Sequence, residues 1–141
     1  MTFDRETLNC VYDRTSGYCH ICRKKLAFKN YGSFGSRGAW EVEHSNAQAN
    51  GGSHRLSNLY PACIFCNRSK GAASTRAARA KHGQTRAPLS AQRRKHAKAE
   101  NAFLGAGSGA LLGGKLAGPV GAAIGGVLGA LFGHGHNPDK Q

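Results

Sequence analysis

The sequence predicts a small α+β domain built around two pairs of cysteines, followed by a basic helical extension and a hydrophobic tail rich in glycine and alanine. Three observations support this prediction. The cysteine pairs are Cys19–Cys22 and Cys63–Cys66, the 141-residue chain has a formal net charge of +13, and residues 103–133 contain a single charged side chain, Lys115. The boundaries predicted from composition are 1–75 for the domain, 76–101 for the extension, 102–133 for the tail and 134–141 for a polar end.

The predicted elements follow from local patterns. Residues 2–14 are expected to form a helix, because Leu8, Val11 and Tyr12 share one face. Residues 40–43 alternate apolar and polar side chains, as a strand does, and the glycines of residues 32–38 indicate a turn. Residues 67–81 are rich in alanine, arginine and lysine, which predicts that they are helical.

The spacing of the cysteine pairs is typical of a tetrahedral structural zinc site with Cys19, Cys22, Cys63 and Cys66 as ligands. The alternative is two redox pairs or unrelated free thiols. A zinc site would explain how so small a core folds, since metal binding contributes folding energy directly. Cys10 is left over and is expected to be a small buried apolar residue on the first helix.

Residues 1–6 carry no apolar core and no cleavage signal, which argues against classical secretion. Together with the predicted zinc site, this indicates a reducing intracellular compartment, either the cytoplasm or the nucleoid or nucleus.

Between and after the cysteine pairs lie further chemistry-bearing residues: the dipeptide Glu43-His44, then Asn58, and then Asn67 directly after Cys66. In this order the residues resemble the HNH endonuclease family in an H-N-N variant, over about residues 3–75. The resemblance implies a zinc-stapled ββα-metal fold and the hydrolysis of phosphodiester bonds.

The resemblance also implies residue roles. His44 would be the general base, Glu43 and Asn67 would hold one catalytic Mg²⁺ or Mn²⁺, and Asn58 would brace the loop that orients His44. Two departures from the family's commoner pattern are Asn67 in place of histidine and Glu43 in place of aspartate. Other interpretations remain open, because Asn67 could cap the start of a helix and Asn58 could be an ordinary turn residue.

The positive charge predicts a nucleic-acid partner, most simply DNA. Residues 67–99 contain no acidic side chain, and contacts with backbone phosphates need no sequence reading. The residues predicted to bind nucleic acid are Arg68, Lys70, Arg76 and Arg79. No aromatic residue is interleaved with the basic residues that follow, so this segment does not predict a platform for single strands. The alternatives are a solvated charged face or attraction to anionic lipid.

In the tail, small residues recur at every fourth position from Gly105 to Gly133, a spacing compatible with membrane association or self-association. The function predicted from the whole sequence is a metal-dependent DNA endonuclease of low sequence specificity. The rival hypotheses are a zinc-stapled nucleic-acid-binding module without catalysis, and a membrane-associated or oligomerising effector that carries the nuclease domain.

Overall fold

The computed structural model describes residues 3–104 and 127–128, which form parts of two compact units, Met1–Ala91 and Gln92–Gln141. In the second unit, residues 92–104 are helical, and Phe103 and Leu104 are exposed. Within the described ranges, no helix is both long enough and apolar enough to cross a membrane. The predictions for the tail fall almost entirely outside the described residues.

The first unit extends beyond the predicted boundary at residue 75. The Ser16 hydroxyl donates a hydrogen bond to the Leu89 carbonyl at 2.9 Å, and Arg23 Nη2 donates to the Arg86 carbonyl at 3.5 Å. These contacts attach residues 86–89 to the cysteine-containing part of the chain.

The first helix, α1, spans Arg5–Asp13. Asp4 caps it by accepting a hydrogen bond from the Thr7 amide at 2.8 Å, which satisfies one of the free N–H groups of the first turn. Val11 is the buried residue of the helix. Cys10 is exposed, so the expectation that it is buried was wrong: it lies on the solvent side of α1.

Two antiparallel strands, β1 (Trp40–His44) and β2 (Leu59–Cys63), form the sheet, with Val42 opposite Pro61. Pro61 has no N–H to give to a partner strand, so this pair is of the non-hydrogen-bonded type and the Pro61 carbonyl points away from β1. That carbonyl accepts from the His20 amide at 3.0 Å, and the Leu59 carbonyl accepts from Arg14 Nη1 at 2.7 Å.

Trp40 is the largest fully buried side chain. The rings of Tyr12, Phe28 and Tyr31 pack around it with centroids 5.0 to 6.1 Å away, and its indole N–H donates to the Phe28 carbonyl at 3.2 Å. Val11, Leu26, Val42 and Leu59 complete this core. The strands that carry the candidate site residues are therefore anchored at the Trp40 end.

Two helices follow β2: α2 (Ile64–Lys70) and α3 (Thr75–Ala80). Residues 67–81 are mostly helical, as predicted, but they form parts of two helices, because Gly71 has φ 51 and ψ −128 and ends α2. Ser74 then caps α3 by accepting from the Ala77 amide at 3.2 Å. The N-cap of α2 is Cys63, so Asn67 lies inside the helix and does not cap it.

Candidate active site and metal centre

The four paired cysteines come together as the sequence predicts. Their sulfur atoms all lie within 4.8 Å of one another, and the Cys22 and Cys63 sulfurs are 3.8 Å apart. A tetrahedral zinc with bonds of about 2.3 Å would hold its sulfur ligands roughly 3.8 Å apart. Hydrogen bonds among the four thiols lower the pKa of Cys22 and Cys63 and raise the pKa of Cys19 and Cys66, and a zinc ion would stabilise all four as thiolates. The four residues therefore fit a structural zinc.

His20, between the first two cysteines, is fully buried. Arg79 Nη2 donates to its Nδ1 at 3.0 Å, which leaves the ring proton on Nε2, 2.7 Å from a carboxylate oxygen of Glu43. Burial lowers the pKa of His20, with the hydrogen bond to Glu43 opposing it, and the ring is neutral near pH 7. The ring also stacks on Tyr60 at 4.9 Å. His20 thus connects the metal centre to β1.

Glu43, a predicted cation ligand, is 2 % exposed. Its second oxygen lies 2.7 Å from the Lys70 ammonium, which also donates to the His44 carbonyl at 3.1 Å. Burial would raise the pKa of Glu43, but the hydrogen bonds from His20 and Lys70 outweigh it, and the pKa lies below its ordinary value. Glu43 is therefore a charged carboxylate that already has two partners.

Asn67, the other predicted cation ligand, lies beside a different carboxylate. Its amide Nδ2 donates to Glu41 Oε2 at 2.8 Å, and this orientation leaves Asn67 Oδ1 as the free acceptor of the amide. Asn67, Glu41, Gln48 and His44 line one open cavity of about 470 Å³. Glu43 is not among the residues that line it, so the structure does not bring Glu43 and Asn67 together around one opening.

His44, the predicted base, ends β1 and contacts a second histidine. Its Nε2 lies 3.0 Å from His54 Nδ1, and His54 Nε2 lies 2.8 Å from the Gln48 amide nitrogen. An amide nitrogen only donates, so the remaining proton of a neutral His54 is on Nδ1 and points to His44. Burial and the neighbouring His54 lower the pKa of His44, and the ring is neutral at physiological pH.

Asn58, the predicted bracing residue, uses its whole side chain to hold the loop after β1. Its Oδ1 accepts from the Asn46 amide at 2.7 Å, and its Nδ2 donates to the carbonyls of Asn46 and Ser53 at 3.0 and 2.8 Å. Gly52 in the same loop has no room for a side chain, since a Cβ there would lie 1.8 Å from the Asn46 carbonyl oxygen. These contacts fix the loop that carries His54.

The four residues predicted to bind nucleic acid separate into two groups. Arg68 and Arg76 are exposed and available to a phosphate. Lys70 and Arg79 differ from that expectation, because the Lys70 ammonium is buried against Glu43, and Arg79 donates to the carbonyl and ring of His20. Lys70 therefore pairs with the buried Glu43 directly, and Arg79 contacts Glu43's partner His20.

Sequence reasoning did not select Glu41, Gln48 or His54. The alternation of side chains in β1 could have indicated Glu41, because Glu41 and Glu43 share a face of the strand and both are candidate cation ligands. No sequence pattern separates the buried carboxylate from the open one.

Comparison with known proteins agrees with this geometry. Residues 19–73 match the HNH endonuclease family, so this segment is similar to that family. The matched segment contains all four clustered cysteines and, of the cavity, His44, Asn67, Glu41 and Gln48, whereas Phe3, which also lines the cavity, lies outside it. No curated protein and no solved structure matches the chain.

Proposed function

We propose that the first unit is a metal-dependent endonuclease that hydrolyses phosphodiester bonds in DNA with low sequence specificity. One observation carries the proposal: within the segment that matches the HNH family, the neutral imidazole of His44 and the amide of Asn67 open into the same cavity. A base beside an oxygen ligand is the minimum that metal-assisted hydrolysis requires.

Asn67 Oδ1 and a glutamate carboxylate suit Mg²⁺ or Mn²⁺, since hard cations prefer oxygen ligands. The bound cation would stabilise negative charge on the scissile phosphate and the leaving oxygen. Glu43 is the proposed carboxylate ligand, and its two present partners leave about half of the roughly four lone-pair directions of a carboxylate free. Reaching the cavity requires the Glu43 side chain to turn from Lys70 towards Asn67.

Other residues of the site position these groups. Glu41 accepts from the Asn67 amide nitrogen, which leaves the amide oxygen available to a cation. Asn58 fixes the loop after β1, and His54 bonds the His44 ring. His44 takes a proton from the attacking water on Nε2, the nitrogen that now accepts from His54, so His54 has to give up this hydrogen bond when the water binds. The oxygen of the water adds to phosphorus as the bond to the leaving oxygen breaks.

Cleavage of supercoiled plasmid by the full-length, zinc-loaded chain with Mg²⁺ or Mn²⁺ tests the proposal. His44→Ala is expected to reduce the rate on the order of 100-fold or more, because it removes the base. The matched control is His96→Ala, which removes an exposed histidine of the second unit and is expected to cleave at the wild-type rate.

The competing function is a binding module without catalysis. Its supporting observation is that both oxygens of Glu43 already have partners, which would leave the cavity without a carboxylate ligand from the motif. That function predicts salt-sensitive binding of DNA and no cleavage with either cation, and the same plasmid assay decides between the two.

A further inference from the structure

Two phenylalanines are exposed side by side on the first unit. Phe34 from the glycine-rich turn is 74 % exposed, and Phe65 from the second cysteine pair is 77 % exposed. Both line one shallow cavity of about 280 Å³. We call Phe34, Phe65 and the cavity between them the aromatic face. Large aromatic rings left in water on a small domain indicate a contact surface.

The aromatic face is surrounded by positive charge. Lys24 and Lys25 line the same cavity, and the guanidinium of Arg68 lies over the Phe34 ring, 4.9 Å from its centroid. None of the residues that line this cavity in the described part of the chain is acidic. An aromatic surface with a basic rim is complementary to a ligand with flat rings and negative charges.

The aromatic face adjoins the candidate active site through α2. Arg68 follows Asn67 in that helix, and its guanidinium, besides lying over Phe34, pairs with Glu41 at 3.4 Å. One arginine thus contacts both the aromatic face and the carboxylate that orients Asn67. A nucleic-acid strand bound on the aromatic face would lie next to the cavity that contains His44.

We propose that the aromatic face stacks an unpaired base, so that the first unit binds a nucleic acid with a single-stranded segment. Phenyl rings on a surface can stack on a base only where its face is open, as in single strands, flaps and junctions. In a continuous duplex both faces of each base are covered by its neighbours. The basic rim then contacts the phosphates on either side of the stacked base.

The proposal rests on the proposed function only in that the ligand is a nucleic acid. Its test is therefore a binding measurement on His44→Ala protein, which does not depend on cleavage. Fluorescence anisotropy with zinc-loaded full-length protein would compare a labelled oligothymidine with a duplex of equal length, without added Mg²⁺ or Mn²⁺.

Phe34→Ala and Phe65→Ala are each expected to weaken binding of the single strand on the order of 5-fold or more, because each removes one stacking partner. Binding of the duplex is expected to change by less than about 2-fold, since it depends on phosphate contacts. Phe65→Tyr is expected to retain binding, whereas Phe65→Leu is expected to lose as much as alanine, because stacking needs a ring and not only apolar bulk. Leu56→Ala, which shortens an exposed apolar side chain elsewhere on the unit, is the control for a general surface effect.

Three results would overturn the proposal. Unchanged single-strand binding in both alanine variants would assign the face to a partner that is not a nucleic acid. An equal loss for duplex and single strand would remove the preference for unpaired bases. Full binding by Phe65→Leu would exclude stacking. Thermal melts and zinc content of each variant confirm that the fold is intact.

Discussion

Glu41 and Glu43 are two residues apart on the same face of β1, yet their surroundings differ completely. Glu43 is 2 % exposed and lies between His20 and Lys70, whereas the side chain of Glu41 is 27 % exposed and meets Asn67 and Arg68 at an open cavity. The strand supplies two identical groups, and the packing of the cysteine pair and of α2 decides which is enclosed. The comparison teaches that packing, more than position on the strand, decides how a carboxylate is held: Glu43 has to leave a buried partner to reach a cation, whereas Glu41 already lies at the cavity.

Removal of the metal is expected to have the largest effect on the surroundings of Glu43. Its partner His20 lies between Cys19 and Cys22, two of the predicted zinc ligands. Chelation or Cys63→Ser is expected to unfold the first unit, since structural zinc contributes about 10 kcal/mol or more in small domains. Circular dichroism melts with and without a strong chelator, beside a zinc determination, would measure this. A melt that does not respond to chelation would contradict a structural zinc, and Cys10→Ser is the control because Cys10 is exposed and lies outside the cluster.

Neutralising one buried partner is expected to have the next largest effect. Glu43→Gln leaves the Lys70 ammonium, 1 % exposed, without a counter-charge, and should lower the free energy of unfolding by about 3–5 kcal/mol. Glu41→Gln should change it by about 1 kcal/mol or less, because Glu41 is partly solvated. Urea unfolding of the zinc-loaded variants would compare the two.

The double variant Glu43→Gln with Lys70→Met removes both buried charges and should recover most of the stability lost in the single variant. If the double variant is as unstable as Glu43→Gln alone, the cost does not arise from the unpaired ammonium.

Substitutions of Glu41, the more exposed of the two glutamates, should lower activity with little effect on stability. Glu41→Ala removes the acceptor that turns the Asn67 amide and is expected to lower kcat/KM for plasmid cleavage on the order of 10-fold. Glu41→Gln keeps an acceptor oxygen and should lose less. Equal losses in the two variants would show that the charge of Glu41 matters, as it would for a direct cation ligand.

The smallest expected effect is a shift in the pH dependence of cleavage, which is set by His44, next to Glu43 in β1. Because burial and His54 lower the pKa of His44, kcat/KM should rise with pH through a midpoint below 6.5 and then level off, as the deprotonated ring is the active form. His54→Gln removes the neighbouring imidazole that lowers the pKa of His44, so the midpoint should move upwards. A wild-type midpoint above 6.5 in the pH–rate profile would contradict this account.

Much of this arrangement was predictable from the sequence. The cysteine spacing predicted the metal centre, alternation predicted β1, and the order of Glu43, His44, Asn58 and Asn67 predicted the HNH domain. These are short-range patterns, in which the chemistry of a site fixes residue type and spacing.

The differences arise where tertiary contacts decide. Burial of Lys70 depends on a carboxylate 27 positions earlier in the chain, and the break between α2 and α3 depends on the positive φ of Gly71 within an otherwise helix-favouring composition. The aromatic face joins Phe34 to Phe65 from opposite sides of the motif, so a search within the basic segment alone could not find it.

The hydrogen bonds on the outer side of β2 have a consequence for solubility. A two-stranded sheet offers free edges, and an unpaired edge is a template for strands of other molecules. On β2 the outward carbonyls of Leu59 and Pro61 are taken by Arg14 and by the His20 amide of the first cysteine pair. A zinc held by the four cysteines would therefore also keep this sheet edge covered, and its loss would expose strand groups through which chains can aggregate.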